Sequence, residues 1–252
     1  MSGDHRKETI VARLSKEHRV NVLELSGELG VSDETIRRDL KELEAEGIVR
    51  RVHGGAIPAS RTQDEPITDR IQQRAKEKTV IAGLARDIIQ DDSVIFLDTG
   101  TTTLALARRL VGFKKVKLYT NSVRIAQAAC EHHGISVHMT PGALRPVEQD
   151  LVGYDTISYV QQFVFDIAFM GAAAVNVSHG FMDFEEDEAR IRQALLKQAR
   201  RRVFLTDSGK IGKNANVITA PFSAGTTMVT ERQPPKEILQ AARRAHMEVI
   251  HG

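Results

Sequence analysis

Two textures in the 252-residue sequence predict an α/β fold built in two parts. Residues 5–53 carry short units of helical periodicity that end in a basic, extended stretch. From Glu77 onward, apolar strand-like runs alternate with helices of about 10–15 residues. The first pattern describes a small helical domain closed by a hairpin, and the second an α/β domain with a largely parallel sheet. Between them, residues 58–76 hold two prolines and few large apolar side chains, which is linker composition passing into a helix near Asp69. The expected boundaries are therefore 1–57, 58–76 and 77–252.

Composition bounds the function classes without selecting one. An apolar fraction of 41% with 27% charged residues is that of a soluble globular chain. No run of 18 apolar residues occurs, so no membrane-spanning helix is expected, and "MSGDHRKETI" lacks the apolar core of a secretory signal. The single cysteine, Cys130, cannot form an internal disulfide and reads as a small buried side chain on a helix. These features fit a cytoplasmic protein. The net charge of +2 says little about partners, and residues 1–60 hold ten Lys/Arg against eleven Asp/Glu. An argument for a polyanionic partner must rest on where the charges fall.

In the N-terminal part the elements follow from caps and spacing. A first helix is expected over His5–Lys16, with Ile10, Val11 and Leu14 on one face. Asn21 is positioned to cap a second helix through Leu29, the pair Gly30-Val31 to turn the chain, and Ser32 to cap a third helix. At 100° per residue, Ile36, Leu40 and Leu43 share the inward side of that helix. Glu34, Arg38 and Lys41 point the other way, with Thr35 and Arg37 at the flanks, while Glu42, Glu44 and Glu46 lie towards the far end. "RRVHGGA" then reads as an extended hairpin carrying Arg50, Arg51 and His53 and ending at paired glycines. A helix with basic residues outside and small polar residues in its first turn suits a DNA major groove, where Arg grips base edges or phosphates.

The stretch "GVSDETIRRDLKELEAEGIVRRVHGGA" resembles the winged helix-turn-helix of DeoR-type bacterial repressors, with its S-x-x-T-[IV]-R-R-D-L core and late R-x-x-G-G. The resemblance implies operator double-stranded DNA as a partner. It places Ser32, Glu34, Thr35, Arg37, Arg38 and Lys41 on or around the recognition helix, and Arg50, Arg51 and His53 on the wing.

In the C-terminal part, ligands of a parallel α/β domain bind beyond the carboxyl ends of the strands, so the turns there carry the information. "FLDTGTTTLALARRL" sets Asp98, Gly100, Thr101, Thr102 and Thr103 between a strand and a helix, where hydroxyls and free amides cradle an oxyanion. "YTNS" offers Asn121 and Ser122, "TPGALRP" offers Gly142 and Arg145, and "LTDSGKIGK" offers Asp207 and Lys210. Polar groups at several strand ends suit a hydroxylated, anionic small molecule, with lysine for phosphate and carboxylates for hydroxyls. Neither G-x-x-x-x-G-K-[ST] nor G-x-G-x-x-G occurs, so no nucleotide cofactor is expected. His132, His133 and His138 do not make a ligand set, and no metal is expected.

The motifs "DTGTTT", "TNS", "MGAAAV" and "DSGK" are similar to those of the DeoR sensor domain, a fold related to ribose-5-phosphate isomerase and CoA-transferase-like proteins. This resemblance implies a sugar-phosphate or other anionic sugar effector meeting Gly100–Thr103 with Lys210 nearby. Where many members carry a lysine, this chain has Arg192, and its acidic "DFEEDE" run adds Glu185. The expected function is a DNA-binding repressor of a carbohydrate-catabolic operon, working as a homo-oligomer, dimer or tetramer. The rival is a sugar-phosphate isomerase using Asp98, Asp183, Glu185 and Asp207 for proton transfer.

Overall fold

The structure is a computed structural model. It describes residues 3–17, 19–46, 48–58 and 67–252. The chain divides into two compact units, residues 1–62 and 63–252.

The N-terminal unit contains α1 (Gly3–Glu17), β1 (Val20–Asn21), α2 (Val22–Leu29), α3 (Asp33–Ala45), β2 (Val49–Val52) and β3 (Gly55–Pro58). The expected caps are made. The Asn21 side chain accepts the Leu23 amide at 2.8 Å, and Ser32 Oγ accepts the Thr35 amide at 3.3 Å. Ile36, Leu40 and Leu43 are buried against Ile10, Leu14, Leu25 and Val49, so the α3 stripe read from periodicity is the core face. The three strands pair antiparallel in the order β1-β3-β2. The paired glycines have separate tasks. Gly54 turns the hairpin at φ 78°, while a Cβ on Gly55 would lie 1.8 Å from the Val20 carbonyl oxygen, so β1 could not approach β3 with any side chain there.

Periodicity does not show how α3 is held. Asp39, on α3, is buried and takes Arg6 of α1 in a two-pronged ion pair, with Nη2 donating to Oδ1 at 2.9 Å. Arg–carboxylate forks fix orientation as well as distance.

The C-terminal unit begins with α4 (Ile67–Gln72), α5 (Ala75–Arg86), β4 (Val94–Leu97), α6 (Thr101–Ala107), β5 (Val116–Thr120), α7 (Val123–Cys130) and β6 (Ile135–Met139). It continues through β7 (Ala143–Arg145), β8 (Asp150–Val152), α8 (Tyr154–Val160), β9 (Phe165–Met170), β10 (Ala174–Asn176), β11 (Gly180–Asp183) and α9 (Glu186–Gln198). The last elements are β12 (Ala199–Leu205), a 3₁₀ turn at Ser208–Lys210, β13 (Val217–Ala220), β14 (Thr226–Thr230), α10 (Lys236–Arg244) and β15 (Glu248–His251). Seven strands form a parallel sheet in the order β15-β14-β12-β9-β4-β5-β6. Alternate side chains feed two cores. Ile95 and Leu97 pack with Ile81, Leu104 and Ile125 under α5, α6 and α7, while Phe96 packs with Ile191, Leu195 and Ile238 under α9 and α10.

The chain winds outward through β4, β5 and β6, then returns to β9 and winds the other way. The topological switch therefore lies between β4 and β9, where an open parallel sheet leaves a crevice at its carboxyl edge.

Cys130, expected to be buried, is exposed, because only Ile125, Ala126 and Ala129 of α7 turn inward. Residues 199–201 are strand, because Ala199 and Arg201 pair with Phe165 and Ile167 of β9. The helix expected near Asp69 is α4, and Ala75 opens α5; residues 59–66 of the segment read as linker lie outside the described residues. The β7–β8 hairpin, α8 and the antiparallel sheet β10-β11-β13 are additional elements.

Removing one partner of a buried ion pair leaves the other charge stranded. Asp39→Ala is expected to destabilise the N-terminal unit by about 3 kcal/mol or more. Urea denaturation of the full chain, followed by hydrogen exchange in each unit, checks this. Unfolding of residues 3–58 should move while that of the parallel sheet stays in place.

Candidate functional site

The polar surface of the N-terminal unit has two strips. On α3, Arg37, Arg38 and Lys41 are exposed, with Arg38 leaning towards Glu42 at 3.6 Å. Glu34 is exposed beside them. The hydroxyls of Ser32 and Thr35 face each other at 2.9 Å and cap the helix start. On the hairpin, Arg50, Arg51 and His53 are exposed. Arg51 is also structural: its amide donates to Glu44 Oε1 at 2.9 Å and its Nε to Oε2 at 2.7 Å. Those bonds hold the Glu44 carboxyl below the usual carboxylate range and tie the β2–β3 hairpin to α3.

In the C-terminal unit a cleft of about 390 Å³, counting its open mouth, lies at the β4/β9 switch. One wall is the turn after β4. Gly100 adopts φ 147°, a value for side-chain-free backbone, and leads Thr101, Thr102 and Thr103 into α6 with no side-chain cap. The first-turn amides have no intrahelical acceptor and present N–H groups beside three hydroxyls. The opposite wall is Gly171–Ala173 after β9, flanked by Lys210, whose Nζ donates to the Ala172 carbonyl at 2.6 Å. Arg70 of α4 closes one side.

The floor is a buried ion network. Arg192, 3% exposed, donates Nε to Asp98 at 2.6 Å and Nη2 to Glu188 at 3.0 Å, and its Nη1 pairs closely with Asp183. Glu188 also accepts Arg145 Nη2 at 2.6 Å, and Arg145 grips Asp150 at 2.8 and 2.6 Å. Four carboxylates thus surround two guanidiniums. Burial pushes Asp98 up to about 7 despite Arg192, and its Oδ1 has no hydrogen-bond partner. Burial also opposes ionisation of Glu188, but Arg192 and Arg145 hold it down to about 2.

Of the residues singled out from sequence, Gly100, Thr101, Thr102, Thr103, Arg192 and Lys210 come together around this cleft. The others lie outside its lining. Asp98 sits behind Arg192. Asn121 Oδ1 accepts the Thr99 amide at 3.0 Å and so shapes the turn from below, while Ser122 caps α7. The Gly142 backbone packs on Thr156 and Val152, and Arg145 reaches the site only through Glu188. Glu185 precedes α9, and Asp207 caps the 3₁₀ turn that carries Lys210. Arg70, Thr99, Gly171–Ala173 and Glu188 line the cleft without having been singled out from sequence, and Asp183, named there only as a proton-transfer carboxylate, lines it too. The i, i+4 spacing of Glu188 and Arg192 was a usable signal for the ion pair. Arg70 had none, lying in a stretch of linker composition. The histidines serve locally: His132 Nε2 lies 2.9 Å from the Ala107 carbonyl, and His138 stacks on Tyr119.

A capped reading helix with a basic wing, joined in one chain to a polar cleft at a sheet switch point, defines a ligand-responsive DNA-binding regulator. Residues 6–62 match the DeoR-like helix-turn-helix domain, and residues 73–232 match the DeoR C terminal sensor domain. The chain belongs to the DeoR family of transcriptional regulators. It is 27% identical to the glycerol-3-phosphate regulon repressor of Escherichia coli K12 over 99% of both chains. The putative aga operon transcriptional repressor of Escherichia coli O157:H7 is 33% identical over 97% of this chain and 92% of its own. The HTH-type transcriptional regulator GlpR of Haloferax volcanii is 32% identical over 98% and 97%. Among solved structures, a D-ribose-5-phosphate isomerase in complex with phospho-erythronic acid covers 54% of each chain at 20% identity and a TM-score of 0.40. No helix among the described residues is long and apolar enough to cross a membrane.

The raised Asp98 carboxyl has a pH signature. Because its folded value exceeds its unfolded one, its contribution to stability is complete below about pH 4 and is lost as pH rises through about 7. The wild type is therefore expected to lose stability relative to Asp98→Asn between about pH 4 and 7. Paired thermal melts across that range check the sign; a pH-independent difference would mean that Asp98 titrates normally.

Proposed function

We propose that the chain represses a carbohydrate-catabolic operon, and that a phosphorylated or otherwise anionic sugar in the C-terminal cleft relieves this repression. One observation carries the reading: first-turn amides, three threonine hydroxyls, the cations Lys210 and Arg70, and the carboxylates Asp183 and Glu188 all line one cleft. An anionic group finds N–H donors and positive charge, and sugar hydroxyls find carboxylate acceptors. The names of the repressor relatives support the same direction. Asp98 and Asp183 are committed to Arg192, and Asp207 to Arg74 at 2.8 Å, which favours binding over proton transfer.

The chain acts as a homo-oligomer, dimer or tetramer, on operator double-stranded DNA in the cytoplasm. A helix-turn-helix dimer reads half-sites about one helical turn or a multiple apart, so a modest reorientation on effector binding disengages one of them. A coupling of about 1–3 kcal/mol, roughly 5- to 150-fold in affinity, is typical of such control. Ser32, Glu34, Thr35, Arg37, Arg38 and Lys41 form the reading surface, with Arg50, Arg51 and His53 on the wing.

Two measurements test this. Arg38→Ala is expected to weaken binding to the chain's own upstream DNA by about 1–3 kcal/mol, as for a residue gripping a base edge. Unchanged binding in a titration at physiological salt would remove Arg38 from the interface. A thermal-shift screen of triose, pentose and hexose phosphates is expected to give at least one stabilising compound. Lys210→Ala should reduce that shift and leave DNA affinity intact; retained stabilisation would take Lys210 out of the site.

A further inference from the structure

The corner between α4 and α5, residues 67–78, follows the DNA-binding unit in the chain and belongs wholly to the C-terminal unit. Three of its side chains are engaged with the cleft or its walls. Arg70 lines the cleft and pairs closely with Glu148, both side chains being largely buried. Arg74 stands at φ 53°, a left-handed conformation that side chains other than glycine rarely adopt. Its guanidinium reaches Asp207 at 2.8 Å, Ser208 Oγ at 2.8 Å and Glu231 at 3.3 Å, so it grips the turn that carries Lys210. Lys78 is buried beneath the corner, where its Nζ donates to the carbonyls of Gln73, at 2.6 Å, and of Arg70. One lysine thus pins the backbone of a cleft-lining arginine, and one arginine pins the turn that supplies the other cleft cation.

These ties matter because α4 is only six residues long. So short a helix has little stability of its own, and its position is set by what it touches. It is held by its own buried Ile67 and by these polar anchors. Burial and then the neighbouring Lys210, with Arg70 and Arg74, outweigh Asp207 and lower Lys78 to about 8.

We propose that Arg70 receives the anionic group of the effector together with Lys210, and that occupancy of the cleft thereby orders the α4–α5 corner. The inference rests on the sugar-phosphate reading above and assigns the anion's contact to a named residue. A ligand orders an element only through contacts that differ between the empty and occupied states, and Arg70 is the side chain of this corner that lines the cleft.

The test uses the full chain with glycerol 3-phosphate, ribose 5-phosphate, glucose 6-phosphate and inorganic phosphate as probes. Affinity is measured by calorimetry, and amide hydrogen exchange is followed over residues 67–78. The tightest probe should slow exchange across 67–78 in the wild type. Arg70→Ala should weaken it by about tenfold or more, as expected for a lost charge-assisted contact. At saturating probe, Arg70→Ala should also leave exchange over 67–78 at its unliganded level. Arg70→Lys should recover part of the affinity, and it carries the same readouts if the alanine variant does not fold. Binding within twofold of wild type, or full protection of 67–78 in the saturated variant, would overturn the inference and leave the sugar-phosphate reading standing. If none of the probes binds the wild type, that reading fails and this inference falls with it.

Discussion

The guanidinium of Arg192 is the point at which the C-terminal unit is drawn together. It lies under the cleft and binds the end of β4 through Asp98, the end of β11 through Asp183, and its own helix α9 through Glu188. Through Glu188 the network continues to Arg145 and Asp150, which fasten the β7–β8 hairpin. Taking these charges out of water costs several kcal/mol per ion, and an apolar cluster of equal volume would be at least as stable. What such a network supplies instead is a fixed geometry and a negatively charged floor. The turn after β4, with its free amides and threonine hydroxyls, is held over that floor. The cations on the walls of the cleft are Lys210 and Arg70.

The N-terminal unit uses the same device on a smaller scale. The ion pair Arg6–Asp39 fixes α3 against α1, and Glu44 fixes the wing to α3 through both the backbone and the side chain of Arg51. The near-neutral charge count of this unit is thereby explained. Many of its acids orient basic residues rather than cancel them, and Arg37, Arg38 and Lys41 are left exposed on one helix.

Legibility in the sequence followed the range of the interaction. Ile36, Leu40 and Leu43 were readable because helical spacing alone puts them on one face, and Asn21 and Ser32 because a cap acts over two or three residues. The strands of the parallel sheet were readable because both of their faces are buried, which leaves continuous apolar runs. Long-range polar contacts were not. Asp39 looks like one more solvated charge on a charged helix until Arg6 is placed beside it, 33 residues away in the chain. Asp98, Arg145 and Asp207 looked like ligand contacts because they stand at strand ends, yet the fold employs them on Arg192, Asp150 and Arg74. Strands of three or four residues such as β7, β10 and β11 are too short to show a period, and the arginines of β12 are placed only by their pairing with β9.

In the proposed mechanism, occupancy of the cleft and grip on DNA are two ends of one equilibrium. Thermodynamic linkage makes this testable in the reverse direction: a ligand that weakens DNA binding must itself be bound more weakly by the DNA complex, by the same factor. Calorimetric titration of a stabilising sugar phosphate into the full chain, alone and saturated with its upstream DNA, measures that factor. DNA is expected to lower the sugar-phosphate affinity by about 5- to 150-fold, matching the loss of DNA affinity caused by the sugar phosphate. Identical affinities in the two titrations would contradict it.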